Sequence, residues 1–194
     1  MDAKQFFSER YEGFQDYPEH LLKDLTDEQQ RRSPQRQLNP IAWTVWHIAR
    51  CEDVGVCLLL ADGPQVWTEG GWAQRLGAPT QGMGAGMTRA EVATLCEAVD
   101  LAELRAYRAA VVARTRLQVA ELAPSELDLE LDRGRLEQVL VTDGAGGNVA
   151  AAIVDAYAGH TKGWLLGHLV LTHSYYHIGQ AFGVRALHGA PNPW

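Results

Sequence analysis

No stretch of this 194-residue chain alternates apolar and polar residues over a strand's length, whereas apolar residues recur three and four apart along most of it. A period near 3.6 marks amphipathic helix and a period of 2 marks half-buried strand. The chain is therefore expected to be all-α. A first helical segment spans 3–24, with Phe6, Phe7, Phe14, Tyr17, Leu21 and Leu22 among its apolar set and Pro18 as a kink or restart. Asn39-Pro40 reads as an N-cap followed by proline at the first helical position, opening a second helix that Asp62-Gly63-Pro64 stops near Ala61. Thr88-Arg89-Ala90-Glu91 has the form of a capping box and opens a third helix expected to reach Leu122 unbroken. The last long helix runs from about Thr161 to Leu187, before Gly189 and Pro191.

Between these lie an irregular insert at 64–87 and an irregular or short-helical region at 125–160. The latter holds candidate short helices at Leu131–Val141 and from Asn148, as cap, to Tyr157. Four long helices with such inserts make an all-α four-helix bundle. At 194 residues one domain spanning 1–194 is the expected organisation.

Charge and composition narrow the function classes. Asp and Glu number 24 against 17 Lys and Arg, a formal charge of −7, and the arginine groups are interleaved with carboxylates. Nucleic acids are held by neutralising phosphates, so no nucleic-acid partner is expected. Three cysteines, Cys51, Cys57 and Cys96, without a CxxC spacing argue against a disulfide framework and against a cysteine-rich zinc site. The apolar runs at 54–61 and 163–171 are about half the length of a membrane span. Residues 1–10 lack the apolar core of a secretory leader. A reduced, cytoplasmic protein without membrane contact is the expectation.

The glycines do not form a nucleotide loop. Gly82-Met83-Gly84-Ala85-Gly86 and Gly144-Ala145-Gly146-Gly147 match neither GxGxxG nor the P-loop, and neither follows a strand. They read as inter-helix loops. Neither a GxSxG elbow nor an HExxH motif is present.

The seven histidines are more informative. His173 and His177 stand four apart, so both project from one helix face, on a stripe with Leu166, Val170, Ala181 and Val184. Imidazoles on an apolar stripe are costly to bury unless paired or ligated, although such a pair taken alone reads as core histidines. His47 changes the reading, because it lies on another apolar stripe with Trp43, Cys51, Val54 and Leu58. Facing helices of a bundle are where metal sites are built, and three neutral imidazoles with one open position are a catalytic zinc arrangement. Cys51 reads first as a small buried hydrophobe. Glu52 and Asp53 read as helix-surface charges, with orientation of a ligand imidazole as the alternative. His160 and His168 fall off the His173/His177 stripe.

The run Asn39-Pro40-Ile41-Ala42-Trp43-Thr44-Val45-Trp46-His47-Ile48-Ala49-Arg50-Cys51-Glu52-Asp53 resembles the second-helix signature of the DinB/YfiT-like superfamily. The block His173-Ser174-Tyr175-Tyr176-His177-Ile178-Gly179-Gln180-Ala181 is similar to that family's closing His-x-x-x-His-x-Gly-Gln pattern. The resemblance covers roughly residues 3–188, and Ile178 replaces an arginine common in the family. It implies a four-helix bundle holding a divalent metal, zinc or nickel, on His47, His173 and His177. Some relatives are thiol-dependent S-transferases or isomerases using low-molecular-weight thiols such as bacillithiol or mycothiol.

The expected function is then a metal-dependent enzyme that activates a low-molecular-weight thiol, or water, for attack on a small electrophilic substrate. Trp43, Cys51 and Tyr176 are the expected pocket wall, and no residue stands out as general base. The alternatives are a non-catalytic stress-response metal-binding bundle and a plain bundle with core histidines. A homodimer formed through the exposed face of the third helix is the expected assembly.

Overall fold

The computed structural model describes residues 1–78, 80 and 82–194, and within them the chain is built from helices with no named strand. Asp2 accepts the Gln5 N–H at 2.8 Å and starts α1 (Ala3–Phe14). The chain breaks at Gln15 and restarts as α2 (Asp16–Leu22), whose first turn contains Pro18, where its missing N–H costs no hydrogen bond. The stretch 3–24 is thus two helices. The short α3 (Asp27–Arg31) opens with a Thr26/Gln29 capping box.

The second long helix starts as α4 (Ile41–Asp53) and continues without a break into a π-helical segment, Val54–Leu60, with wide bonds such as Ala61 N–H to the Val56 carbonyl. It stops where Asp62 turns to φ +50 ahead of Gly63-Pro64. Asn39 does not cap it. The Asn39 amide oxygen instead accepts from Arg89 Nη1 at 2.6 Å.

The 64–87 insert carries α5 (Val66–Glu69) and α6 (Trp72–Leu76). The third long helix departs from its expected form. The Thr88/Glu91 capping box is present, but α7 (Arg89–Ala98) ends there and α8 (Leu101–Glu121) begins anew. Asp100 caps the new start by accepting the Ala102 and Glu103 N–H groups. Arg31 fixes the break from outside, donating to the carbonyls of Cys96 at 2.6 Å and Val99 at 2.8 Å.

The 125–160 region holds a 3-10 turn (Pro124–Asp128), α9 (Arg133–Glu137) running into a π segment (Gln138–Thr142), and α10 (Ala150–Tyr157). Asn148 does not cap α10; its side-chain amide donates to the Gly86 carbonyl. Thr161 caps the last helix through the Trp164 N–H at 3.2 Å. That helix is continuous from α11 (Lys162–Leu165) through a π segment (Leu166–Thr172) into α12 (His173–Leu187).

The four long helical stretches, α1–α2, 41–60, α8 and 162–187, form the bundle, with the second at its centre. Every residue of α4 is buried, because it packs on α8, α12, α3 and α7. Surrounded on all sides, α4 buries its polar residues Thr44, His47, Arg50, Glu52 and Asp53 along with its apolar ones, so the stripe through His47 does not mark its only buried face. Gly55 lets the two π segments approach, since a Cβ there would sit 2.5 Å from Leu169 Cδ2. No helix among the described residues is long and apolar enough to cross a membrane.

Two polar networks hang from the end of α4, and both correct the reading of Glu52 and Asp53 as surface charges. The Asp53 side chain, wholly buried, accepts from the Val66 and Trp67 N–H groups at 2.9 Å, from Tyr107 Oη at 2.7 Å and from Arg50 at 3.1 Å. Arg50 also donates to Gln65 at 2.9 Å and lies 4.3 Å over the Trp67 ring. Glu52 accepts from Tyr11 Oη and from Thr115 Oγ1, and burial raises its pKa against the lowering effect of those bonds. Burying charge is tolerable only when it is fully partnered, and these residues tie α1, α5 and α8 to the central helix.

Candidate metal centre

His47 comes from α4, and His173 and His177 come from the first turns of α12. One potential ligand atom from each lies within 4.8 Å of the others. The ring centroids are 5.0 Å apart for His47 and His173, 4.8 Å for His47 and His177, and 4.4 Å for the α12 pair. His47 stacks on Trp43 at 4.5 Å, which fixes its ring plane.

The hydrogen bonds orient the imidazoles. His47 Nδ1 faces the Met83 carbonyl, and His177 Nδ1 faces Gln180 Oε1 at 3.0 Å. The Met83 carbonyl can only accept, so His47 Nδ1 carries the proton and its Nε2, 3.8 Å from Cys51 Sγ, keeps a lone pair, while the Gln180 amide anchors His177 Nδ1. His173 Nδ1 is buried with no hydrogen-bond partner. Burial, the largest cause in each case, lowers all three pKa values, to about 4 for His47 and about 2 for His173. The histidines also depress one another, since like charges cannot share so small a space. Three neutral imidazoles, two with the outer nitrogen anchored and one with an orphaned buried nitrogen, fit a divalent cation, because metal binding needs deprotonated, oriented nitrogen donors.

The cluster opens into a cavity of about 700 Å³. Trp43 and Cys51 line it, as do Met83, Val92, Ile153 and Leu169. Tyr176 does not. It is 63% exposed and meets only the edge of His177, at 5.3 Å, because it lies one residue, about 100°, off the histidine face. Cys51 Sγ is 3.7 Å from His47 Nδ1, and burial pushes its thiol up to about 12.

The expected stripe on the last helix holds only past the π segment. Leu166 and Val170 pack with Phe7, Val112 and Val119 in a separate cluster, away from the cavity. The wider i→i+5 turn rotates the helix face, so His168 joins Leu169 and His173 on the cavity wall. His168 stacks on Trp164 at 4.5 Å, and Trp164 on His160 at 3.8 Å.

Sequence reading missed Met83 as the residue that orients His47. Its only signal was the glycine-rich run around it. That loop is packed against the site: Met83 N–H donates to the Ala145 carbonyl at 2.9 Å, joining the two glycine loops, and Trp43 Nε1 meets Met87 Sδ at 3.5 Å.

Fold and site together define an all-α bundle with a three-histidine cluster at the floor of an apolar cavity. The chain belongs to the DinB superfamily, whose family model matches residues 10–181. Its structure is similar to the crystal structure of a conserved protein from Enterococcus faecalis, with a TM-score of 0.74 at 20% identity, over 96% of this chain and 97% of that one. At that identity the likeness speaks for the fold. No curated protein matches the chain.

Proposed function

We propose that His47, His173 and His177 are the ligands of a divalent metal ion, zinc or nickel, and that the protein is an enzyme acting on a small molecule in the adjoining cavity. The observation that carries this reading is the convergence of three neutral imidazoles from two helices at the floor of that 700 Å³ space. When bound, the ion supplies a Lewis acid that lowers the pKa of a low-molecular-weight thiol or a water at its open position, making a nucleophile available near neutral pH.

The protein groups do the rest. Met83 and Gln180 anchor the Nδ1 atoms of two imidazoles, and the Met83 carbonyl sets the tautomer of His47. Trp43, Met83 and Leu169 give the histidine end of the cavity an apolar wall. Burial pushes the Cys51 thiol up to about 12, and in this reading the attacking group arrives with the ligand. The electrophile then occupies the remaining apolar volume.

A second reading, a non-catalytic metal-binding bundle, draws support from the absence of any carboxylate among the described lining residues, which leaves no acidic general base. Elemental analysis of tag-free protein, purified without a nickel column or chelator, tests both. About one zinc or nickel per chain, lost in His47→Ala and His173→Ala, is the expected result. Metal-dependent transfer of a thiol to an electrophile then favours the enzyme. A metal whose removal lowers the melting temperature, with no turnover of any thiol–electrophile pair, favours the structural role. Protein that takes up neither ion in excess ends both readings.

A further inference from the structure

The cavity above the histidines is electrostatically unlike the rest of the molecule. The chain carries 24 Asp and Glu, yet none lines this cavity among the described residues. Among the described lining residues the one side chain with a permanent charge is Arg89, exposed at the first position of α7.

Arg89 is also held differently from the arginines that form short ion pairs in this protein. Arg75, Arg114, Arg116, Arg133 and Arg135 each face a carboxylate within 2.7 Å. Arg89 instead donates Nη1 to Asn39 Oδ1 and Nη2 to the Gln37 carbonyl, both at 2.6 Å. Both partners are neutral, so they fix the guanidinium without cancelling its charge. A guanidinium has five N–H donors in a planar fork, and these two bonds leave the others for a ligand. Beyond Arg89 a second groove of about 690 Å³ shares Arg89 and Val92 with the first. Arg32 and Arg36 line that groove, Arg32 beside Glu28 and Arg36 on the exposed connection before α4.

We propose that Arg89 is a specificity-determining residue, and that the cavity takes an elongated small molecule with three parts: a metal-binding head at the histidines, an apolar body between Trp43, Met87 and Ile153, and a carboxylate or similar anion at Arg89. The inference rests on the metal-centre reading and deepens it by naming the chemistry at the far end of the ligand. A cationic molecule is selected against, because no carboxylate among the described lining residues would neutralise it.

The test uses cobalt(II)-loaded protein, whose visible bands report the metal site and whose near-ultraviolet charge-transfer band reports a ligated thiol. Two probe series are titrated at matched chain lengths, from 3-mercaptopropionate to 6-mercaptohexanoate and the corresponding mercaptoalcohols. At the best length the acid should bind about tenfold more tightly than the alcohol, the scale of one charge-assisted hydrogen bond. Arg89→Gln should abolish that preference while leaving the cobalt bands and the alcohol affinity intact, and Arg89→Lys should retain part of it. Equal binding of acid and alcohol at every length, or a preference that survives in Arg89→Gln, overturns this proposal and leaves the metal centre standing. Wild-type protein with no cobalt bands overturns the metal reading and this inference together.

Discussion

Within one helix, α4, two kinds of buried polar group lie only a turn apart. Arg50, Glu52 and Asp53 are partnered from within the protein: Asp53 accepts four hydrogen bonds, and Glu52 is met by two hydroxyls. His47, three residues before Arg50, joins a cluster that faces a cavity, and His173 beside it has a buried nitrogen with no partner. A closed network holds helices together. An open one leaves donor capacity for something that comes from outside. Polar burial alone does not separate structure from function; the balance of partners does.

The largest expected effect falls on the closed side. Asp53→Ala strands Arg50 without its counter-charge and frees two backbone N–H groups, and it should cost about 3–5 kcal/mol in a denaturant titration. His173→Ala in metal-free protein should cost far less, because the ring makes no hydrogen bond through its buried Nδ1. If the two cost the same, the contrast between closed and open networks fails.

Acidification probes the open side. In the unfolded chain a histidine titrates near about 6.5, while in the fold His47 is held at about 4 and His173 at about 2. Between those values the unfolded state binds protons that the native state refuses. Stability of the metal-free protein therefore falls as pH drops from about 6.5 through the folded values. Urea midpoints measured between about pH 7 and pH 5 should slope less steeply in a His47→Gln/His173→Gln variant than in the wild type.

The loop that anchors His47 gives an intermediate effect. Gly84 has φ +86, and a Cβ there would lie 2.5 Å from Trp46 Cζ3. Gly84→Ala should cost about 1–3 kcal/mol from strain. It should also weaken metal affinity about tenfold by displacing the neighbouring Met83 carbonyl. Metal affinity unchanged in this variant would show that the Met83 contact does not orient the ligand. Smallest of all is Tyr176→Ala, expected within about 0.5 kcal/mol of wild type and without effect on metal content, since the side chain stands outside the cavity.

How legible each feature was follows from the range of the interaction behind it. Helix starts at Thr88 and Thr161, and the stop at Asp62-Gly63, are set by side chains and φ values within a few residues. The break between α7 and α8 was hidden in a continuous helical pattern, although Asp100 is a capping residue. Arg31, more than 60 residues away, holds the carbonyls that make the break firm. The π segment before His173 has no local composition signal. It takes Leu166 and Val170 off the expected stripe and brings His168 onto the cavity wall.

The sequence by itself determined the all-helical class, the four long helical stretches and the pairing of His173 with His177 on one face, because periodicity and i,i+4 spacing are local geometry. The stripe Trp43, His47, Cys51, Val54 and Leu58 brought in His47, and the pattern shared with the DinB superfamily agreed with it. Tertiary structure decided that Glu52 and Asp53 lie inside, that Met83 offers its carbonyl to His47, that Tyr176 faces out, and that Arg89 stands at the cavity mouth on neutral partners. Each of these depends on chain segments far apart in sequence that meet only when the helices pack around α4, and a backbone carbonyl or a missing carboxylate leaves no mark in the order of residues.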